Sequence, residues 1–387
     1  MAMTQRIYLD NAATTPVSSA VFEAMRPYFT EIFGNPSAIH SYGQEAHKAL
    51  ETARRSVAKC LGALSSEIFF TSGGTESDNW ALRSVAETCG SWGRRIISSA
   101  IEHNAVLKTL EKLSSQGFEV TLLKPTQDGL ISPESLKRAL SPDTILVSIM
   151  MANNVVGSIQ DIKALAKVVK ESQSRTVFHV DAVQAAGYLP INVRDLGVDL
   201  LSLSAHKFHG PKGVGALFAK IPRLPASYMT GGGQERGGRS GTENTPGIVG
   251  LAKALEEAVS GFERTNELAT LRDELIAGLT RTPGVFLTGP KNNRLPGLAS
   301  FVVEGIGSSV YLINLLNERG VAASSGAACS ASSREASHVL RAMGYSEELA
   351  SGTLRFSISR YNTAQEIKAL VDMFPGLVKE LRAQKNS

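Results

Sequence analysis

The chain is poor in cysteine: 387 residues hold three, Cys60, Cys89 and Cys329. Their number is odd and no two have metal-ligand or close disulfide spacing, so neither a disulfide scaffold nor a zinc module is indicated. No apolar run approaches the roughly 20 residues of a membrane span. Blocks of one charge are missing too, since 40 basic residues face 36 acidic ones, a net charge of +4. Nucleic acid therefore has no electrostatic footprint here. The first residues, Met1 to Ile7, contain no apolar signal core. With unpaired cysteines, this makes a reducing cytoplasm the expected compartment. What remains is an ordinary globular composition, 43% hydrophobic and 20% charged, in a chain long enough to expect two domains.

Strand-like and helix-like segments alternate through the first two thirds. Apolar runs at Ile68–Phe70, Arg95–Ser99, Val120–Leu123, Thr144–Met150, Val177–Gln184 and Val198–Ser204 each end in small or polar residues. Helices are expected at 18–29, 41–61, 161–172 and about 247–280. Such alternation predicts a mostly parallel sheet covered by helices, with ligands beyond the carboxyl ends of the strands. Thr75, His103, Asn154, Asp181, Gln184 and Lys207 all fall at those ends. The last third reads as a smaller α+β unit, with strands at 299–303 and 354–359 and a helix at 309–318.

Ser204-Ala205-His206-Lys207 follows one of these strands and runs into a Gly-Pro-Lys-Gly turn. A solvated lysine is the bland reading; a Schiff-base lysine holding a carbonyl cofactor, with Ser204 and His206 on a phosphate, is the sharp one. Ser72-Gly73-Gly74-Thr75 opens a helix after a strand. Glycines and free helix N–H groups suit an anion, and without a Walker lysine a single phosphate is favoured. The tiny-residue loop Ser324 to Ser333 makes Cys329 exposed and a candidate nucleophile. Arg355 suits a carboxylate fork or a structural ion pair. The glycine-rich loop 231–244, with Arg236 and Arg239, reads as an ordered loop meeting an anion or a partner. His206 and His209 flank a turn without a carboxylate, a weak metal site.

Motifs along nearly the whole chain resemble cysteine desulfurases of the NifS/IscS type, in the class V aminotransferase branch of fold-type I pyridoxal-phosphate enzymes. They are Tyr8-Leu9-Asp10-Asn11-Ala12-Ala13-Thr14-Thr15-Pro16, Gly34-Asn35-Pro36-Ser37, Phe70 to Ser77, Glu102-His103, His179 to Gln184, Ser204 to Lys207, the 231–244 loop and Ser324 to Cys329. The resemblance implies an α/β fold: a large domain, 14–260, built on a mostly parallel seven-stranded sheet, and a small α+β domain, 1–13 with 261–387, carrying the cysteine loop. It further implies pyridoxal 5'-phosphate on Lys207, Asp181 at the ring nitrogen, His103 stacked on the ring, and Asn154 and Gln184 at the ring oxygen. Gly74, Thr75, Ser204 and His206 would hold the phosphate, joined by Thr242 from the second subunit of a homodimer. Arg355, with Asn35, would clamp the L-cysteine carboxylate, and Cys329 would take sulfur for an acceptor such as an iron–sulfur scaffold protein.

The chain departs from the family pattern at three places: Val155 replaces an acid after Asn153-Asn154, Ala205 replaces a glycine, and Arg334-Glu335-Ala336 replaces Leu-Glu-Pro. A selenocysteine lyase, a class V aminotransferase proper and a non-catalytic scaffold of the same fold are the competing expectations. The cysteine loop argues against the aminotransferase, and retention of both Lys207 and Cys329 argues against the scaffold.

Overall fold

In the computed structural model the apolar runs become a seven-stranded sheet, and the described residues are 6–172, 175–220, 226–325 and 336–386. The strands lie in the spatial order Ile68–Thr71, Gly215–Ala219, Leu200–Ser204, Val177–Asp181, Thr144–Ser148, Arg95–Ser99 and Glu119–Leu123. Gly215–Ala219 runs against both of its neighbours, and the other pairings in the sheet are parallel. The mostly parallel sheet is therefore as expected. The reversed strand was not foreseen, because it follows the glycine-rich turn after Lys207 and reads as part of that loop. Gly215 is needed there: a Cβ on it would sit 2.5 Å from the Leu203 carbonyl oxygen.

Helices cover both faces, as parallel strands buried on two sides require. Ser41–Leu61 begins where the His40 ring accepts the Gly43 N–H (3.3 Å) and stops at Gly62, which takes φ +67°. Its Ala46, Leu50, Ala53, Val57 and Leu61 stripe is buried, at about 2 kcal/mol for a large aliphatic side chain. The helical stretch expected at 247–280 is two helices, Thr245–Ser260 and Thr265–Leu279, parted at Gly261. The helix expected at 18–29 likewise splits into Ser19–Met25 and Pro27–Thr30, because Pro27 cannot continue the first.

A second core gathers Ile7, Leu9, Leu275, Phe301, Leu316, Phe356 and Phe374. It lies on an antiparallel sheet in which Leu298–Val303 pairs with both Thr353–Ser357 and Val285–Leu287. Ile7–Tyr8 pairs in parallel with Val321–Ala322. The chain then crosses to the first core, where Ala12 packs, and Thr15 N–H meets the His206 carbonyl at 2.9 Å. The stretch 10–16 thus straps the two cores together and lays its carbonyls beside Lys207.

Candidate active site

The strand ends and the strap enclose a cavity of about 340 Å³, within the ~300–1,000 Å³ usual for small-molecule sites. Gly74, Thr75, His103, Asn154, Asp181, Gln184, Ser204, His206, Lys207 and Arg355 all line it. The sequence had also pointed to Asn35, Thr242 and Cys329. Asn35 does not line this cavity, and its side chain caps Ser37 N–H at 2.9 Å. Thr242 lines a separate recess with Ser72, Arg239 and Glu243. Cys329 lies outside the described residues.

Lys207 follows a fully buried strand and enters a short 3₁₀ turn. Its Nζ donates to the carbonyls of Ala12 and Ala13, both at 2.8 Å, which aims the amine across the cavity. Gln184 Nε2 donates to the same Ala12 carbonyl at 2.9 Å. Asp181 ends its strand 5% exposed and accepts Val183 N–H at 2.9 Å. Burial raises its pKa, while that hydrogen bond, His103 and Lys207 pull the other way. Among the described residues no ion pair answers this carboxylate, so it is suited to a cationic ligand group.

His103 caps the helix Asn104–Ser114 by accepting Ala105 N–H at Nδ1 (3.1 Å), which leaves the ring proton on Nε2. Burial lowers its pKa against the pull of Asp181, and nearby Lys207 and His338 push the same way as burial. The anion cradle is the start of the helix Gly74–Cys89, where free N–H groups and the positive end of the dipole meet. A Cβ on Gly74 would stand 2.6 Å from Val183 Cγ2. Ser204 and His206 face the same opening. Burial, with Lys207 and Lys212 nearby, brings His206 down to about 4, so it meets an anion as a neutral donor.

Arg355, 1% exposed, donates Nη1 to the Asn154 carbonyl (2.8 Å) and Nη2 to Asp10 Oδ1 (2.7 Å). Among the described residues its Nε has no hydrogen-bond partner. The arginines of the 231–244 loop are engaged within the chain: Arg239 Nε holds Glu76 at 2.8 Å, and Arg236 donates to the Ile68 carbonyl at 2.7 Å. Val155 is 2% exposed and packs with Ile101, Val302 and Val339. Among the described residues no cluster of three His, Cys, Asp or Glu is placed to hold a metal ion, and no helix is long and apolar enough to cross a membrane.

Several cavity residues were not singled out from sequence: Asp78, Asn104, Met150, Ser337 and His338. A signal for Asp78 existed. It shares a 3–4 spaced stripe with Ala81, Leu82 and Val85, all buried, where an acid is out of place on an apolar face.

A lysine at a strand end, a buried acid across from it and an anion cradle between them define a cofactor-dependent group-transfer site. The family model described as aminotransferase class-V matches residues 7–370, and the chain belongs to that family. Among its relatives, a "Cysteine desulfurase IscS" of Methanosarcina thermophila is 48% identical over 97% of this chain and 93% of its own length. Another of that name, from Dictyoglomus turgidum, is 46% identical over 98% and 96%. A solved structure titled as a NifS-like protein superposes with a TM-score of 0.92 at 41% identity, covering 97% of this chain and 100% of the other.

Proposed function

We propose that this chain is a pyridoxal-phosphate-dependent cysteine desulfurase, converting L-cysteine to L-alanine and passing the sulfur to Cys329 as a persulfide. The observation that carries it is the convergence of Lys207, Asp181, His103 and the Gly74 helix start on one cavity. The donor set fits the cofactor: a glycine-lined helix start for its phosphate, an amine for its aldehyde, and a buried carboxylate for its ring nitrogen. When bound, pyridoxal phosphate supplies an electron sink for bonds broken at the substrate Cα.

The chain's own groups do the rest. Thr75, Ser204 and His206, with the Gly74 N–H, would hold the phosphate, and Asp181 would keep the ring nitrogen protonated. Asn154 and Gln184 would hydrogen-bond the ring oxygen. Lys207 Nζ would be the base for the Cα proton, and His103, its proton on Nε2, would lie beside the ring as a donor. Arg355 would grip the substrate carboxylate. In the sulfur step the substrate C–S bond breaks and an S–S bond to Cys329 forms. One thiol proton ends on carbon and the other stays on the persulfide, so no outside oxidant is needed.

We further propose a homodimer, in which Thr242 completes the phosphate site of the other subunit. Its position beyond Ser72 and Gly213, which border both its own recess and the phosphate opening, supports this. The same reading places the enzyme in the cytoplasm, divides it into 14–260 and 1–13 with 261–387, and sends the sulfur to an iron–sulfur scaffold or another acceptor protein. Free Cys60 and Cys89 support the compartment, and the two separate cores support the division.

The test incubates the purified protein, loaded with pyridoxal phosphate, with L-cysteine and follows alanine and sulfide. Cys329→Ser should keep the cofactor's visible band and lose sulfide release. Lys207→Ala should lose the native band and the turnover together. Full-rate alanine and sulfide from either variant overturns the mechanism.

A further inference from the structure

Three carboxyl groups are buried beneath this cavity: Asp78 at 1%, Glu102 at 0% and Asp181 at 5% exposure. His103 and Lys207 both act on Asp181. Glu102 is closed off from the cavity, its Oε1 accepting Met150 N–H (3.0 Å) and the Ser99 hydroxyl. Asp78 lines the cavity, as Glu102 does not; among the described residues its Oδ1, like Glu102 Oε2, has no hydrogen-bond partner, and no lysine or arginine pairs with it. The titratable groups facing it are Asp181 and His179 from the Val177–Asp181 strand and Glu102 from the turn after Arg95–Ser99.

His179 does not supply a positive charge. Its Nε2 lies 3.6 Å from Asp78 Oδ1, but the ring is already bonded to the Ser148 hydroxyl at Nδ1 (2.9 Å) and the Ser202 hydroxyl at Nε2 (3.0 Å). Burial brings His179 down to about 3, so it is neutral. The result is a polar line, Ser148–His179–Ser202, running across three adjacent strands, with Asp78 on the covering helix beside the His179 ring at the cavity wall. Asp181 lies two residues beyond His179 on the same strand face.

We propose that Asp78 is a proton-bearing positioning acid, buried beside His179 at the cavity wall, which leaves Asp181 as the single carboxylate presented to the cofactor ring. Two neighbouring buried carboxyls cannot both ionise without compensation. The cation near the site, Lys207, acts on Asp181, so the proton resides on Asp78. Burial, then Asp181, hold its pKa well above the usual carboxylate range. A neutral acid there offers an O–H to its surroundings and adds no second negative charge to compete for the ring nitrogen. The role at the ring rests on the desulfurase reading; the protonation state of Asp78 does not.

Two experiments separate these. In the first, the cofactor-free chain and Asp78→Asn are melted between pH 5 and 8. An acid that is neutral when folded and ionised when unfolded gives the native state one extra bound proton. Stability then falls as pH rises between the two pKa values. The asparagine variant lacks this loss, so its melting temperature should gain on wild type by several degrees toward pH 8. A gap that does not change with pH overturns the protonated state.

In the second, both proteins and Asp78→Leu are loaded with pyridoxal phosphate, and the visible band is titrated. The asparagine variant should titrate close to wild type. The leucine variant should bind the cofactor about tenfold more weakly, with its titration midpoint displaced. A leucine variant with wild-type circular dichroism, band and affinity would reduce Asp78 to a packing residue.

Discussion

Two buried arginines show what separates scaffold from site in this molecule. Arg54, on the helix Ser41–Leu61, engages all three nitrogens of its guanidinium: Nε on Glu51 (2.9 Å), Nη1 on the Ile68 carbonyl (2.9 Å) and Glu235 (2.8 Å), and Nη2 on Glu235 (2.7 Å). It also lies over the Phe70 ring at 4.7 Å. Arg355 is equally buried, yet holds one carboxylate oxygen and one carbonyl, leaves Nε unmatched and borders the cavity. A buried guanidinium with all its partners in the fold has nothing left for a ligand. One with a donor to spare at a cavity wall retains capacity for substrate. Burial alone does not distinguish them; saturation does.

The largest effect should come from breaking the saturated pair. Glu235→Ala leaves Arg54 charged in the interior, and Phe70 N–H also loses its acceptor, 2.8 Å away. Removing one member of a buried ion pair costs ~3–5 kcal/mol, to be read as a lowered urea midpoint at unchanged slope. A loss below ~1 kcal/mol, the range of an exposed pair, would mean that water reaches this arginine. Arg355→Lys should act in the opposite place. It keeps the charge but loses the planar fork, so stability moves little while kcat/KM for L-cysteine falls. One charge-assisted hydrogen bond is worth ~1.5–3 kcal/mol, or roughly 10- to 100-fold. A variant that loses stability and keeps kcat/KM would make Arg355 a second Arg54.

The same distinction explains what could be read from sequence. Strand ends were legible, because an apolar run breaking into small polar residues marks both a strand and the edge where ligands sit. Thr75, His103, Asn154, Asp181, Gln184, Ser204, His206 and Lys207 all reach the cavity on that logic. Groups that act through the backbone were invisible: nothing in the letters Ala12-Ala13 says that their carbonyls will hold Lys207. Ser337 and His338 come from the start of the helix His338–Ala342, far along the chain from Lys207, a meeting that no local pattern encodes. Val155 stood out as a missing acid, and its burial among Ile101, Val302 and Val339 gives the reason: the position faces apolar neighbours from another part of the chain. The arginines at 236 and 239 looked free for a partner. Their acceptors, Glu76 and the Ile68 carbonyl, lie some 160 residues earlier.

The smallest expected effect sharpens the comparison most. Asp10 supplies Arg355 with its one anionic partner among the described residues, at 2.7 Å, from a side chain 20% exposed. If Arg355 serves substrate, Asp10 partly neutralises the charge that a carboxylate must meet. Asp10→Asn keeps an acceptor oxygen at that place and removes the competing charge. An ionised acceptor bonds more strongly than a neutral one by ~1 kcal/mol. KM for L-cysteine should therefore fall severalfold at low ionic strength and return toward wild type as salt screens the site. Should KM rise instead, Asp10 is what aims the guanidinium. Arg355 would then be a ligand held ready by its counter-ion, with the strap that carries Asp10 part of substrate recognition.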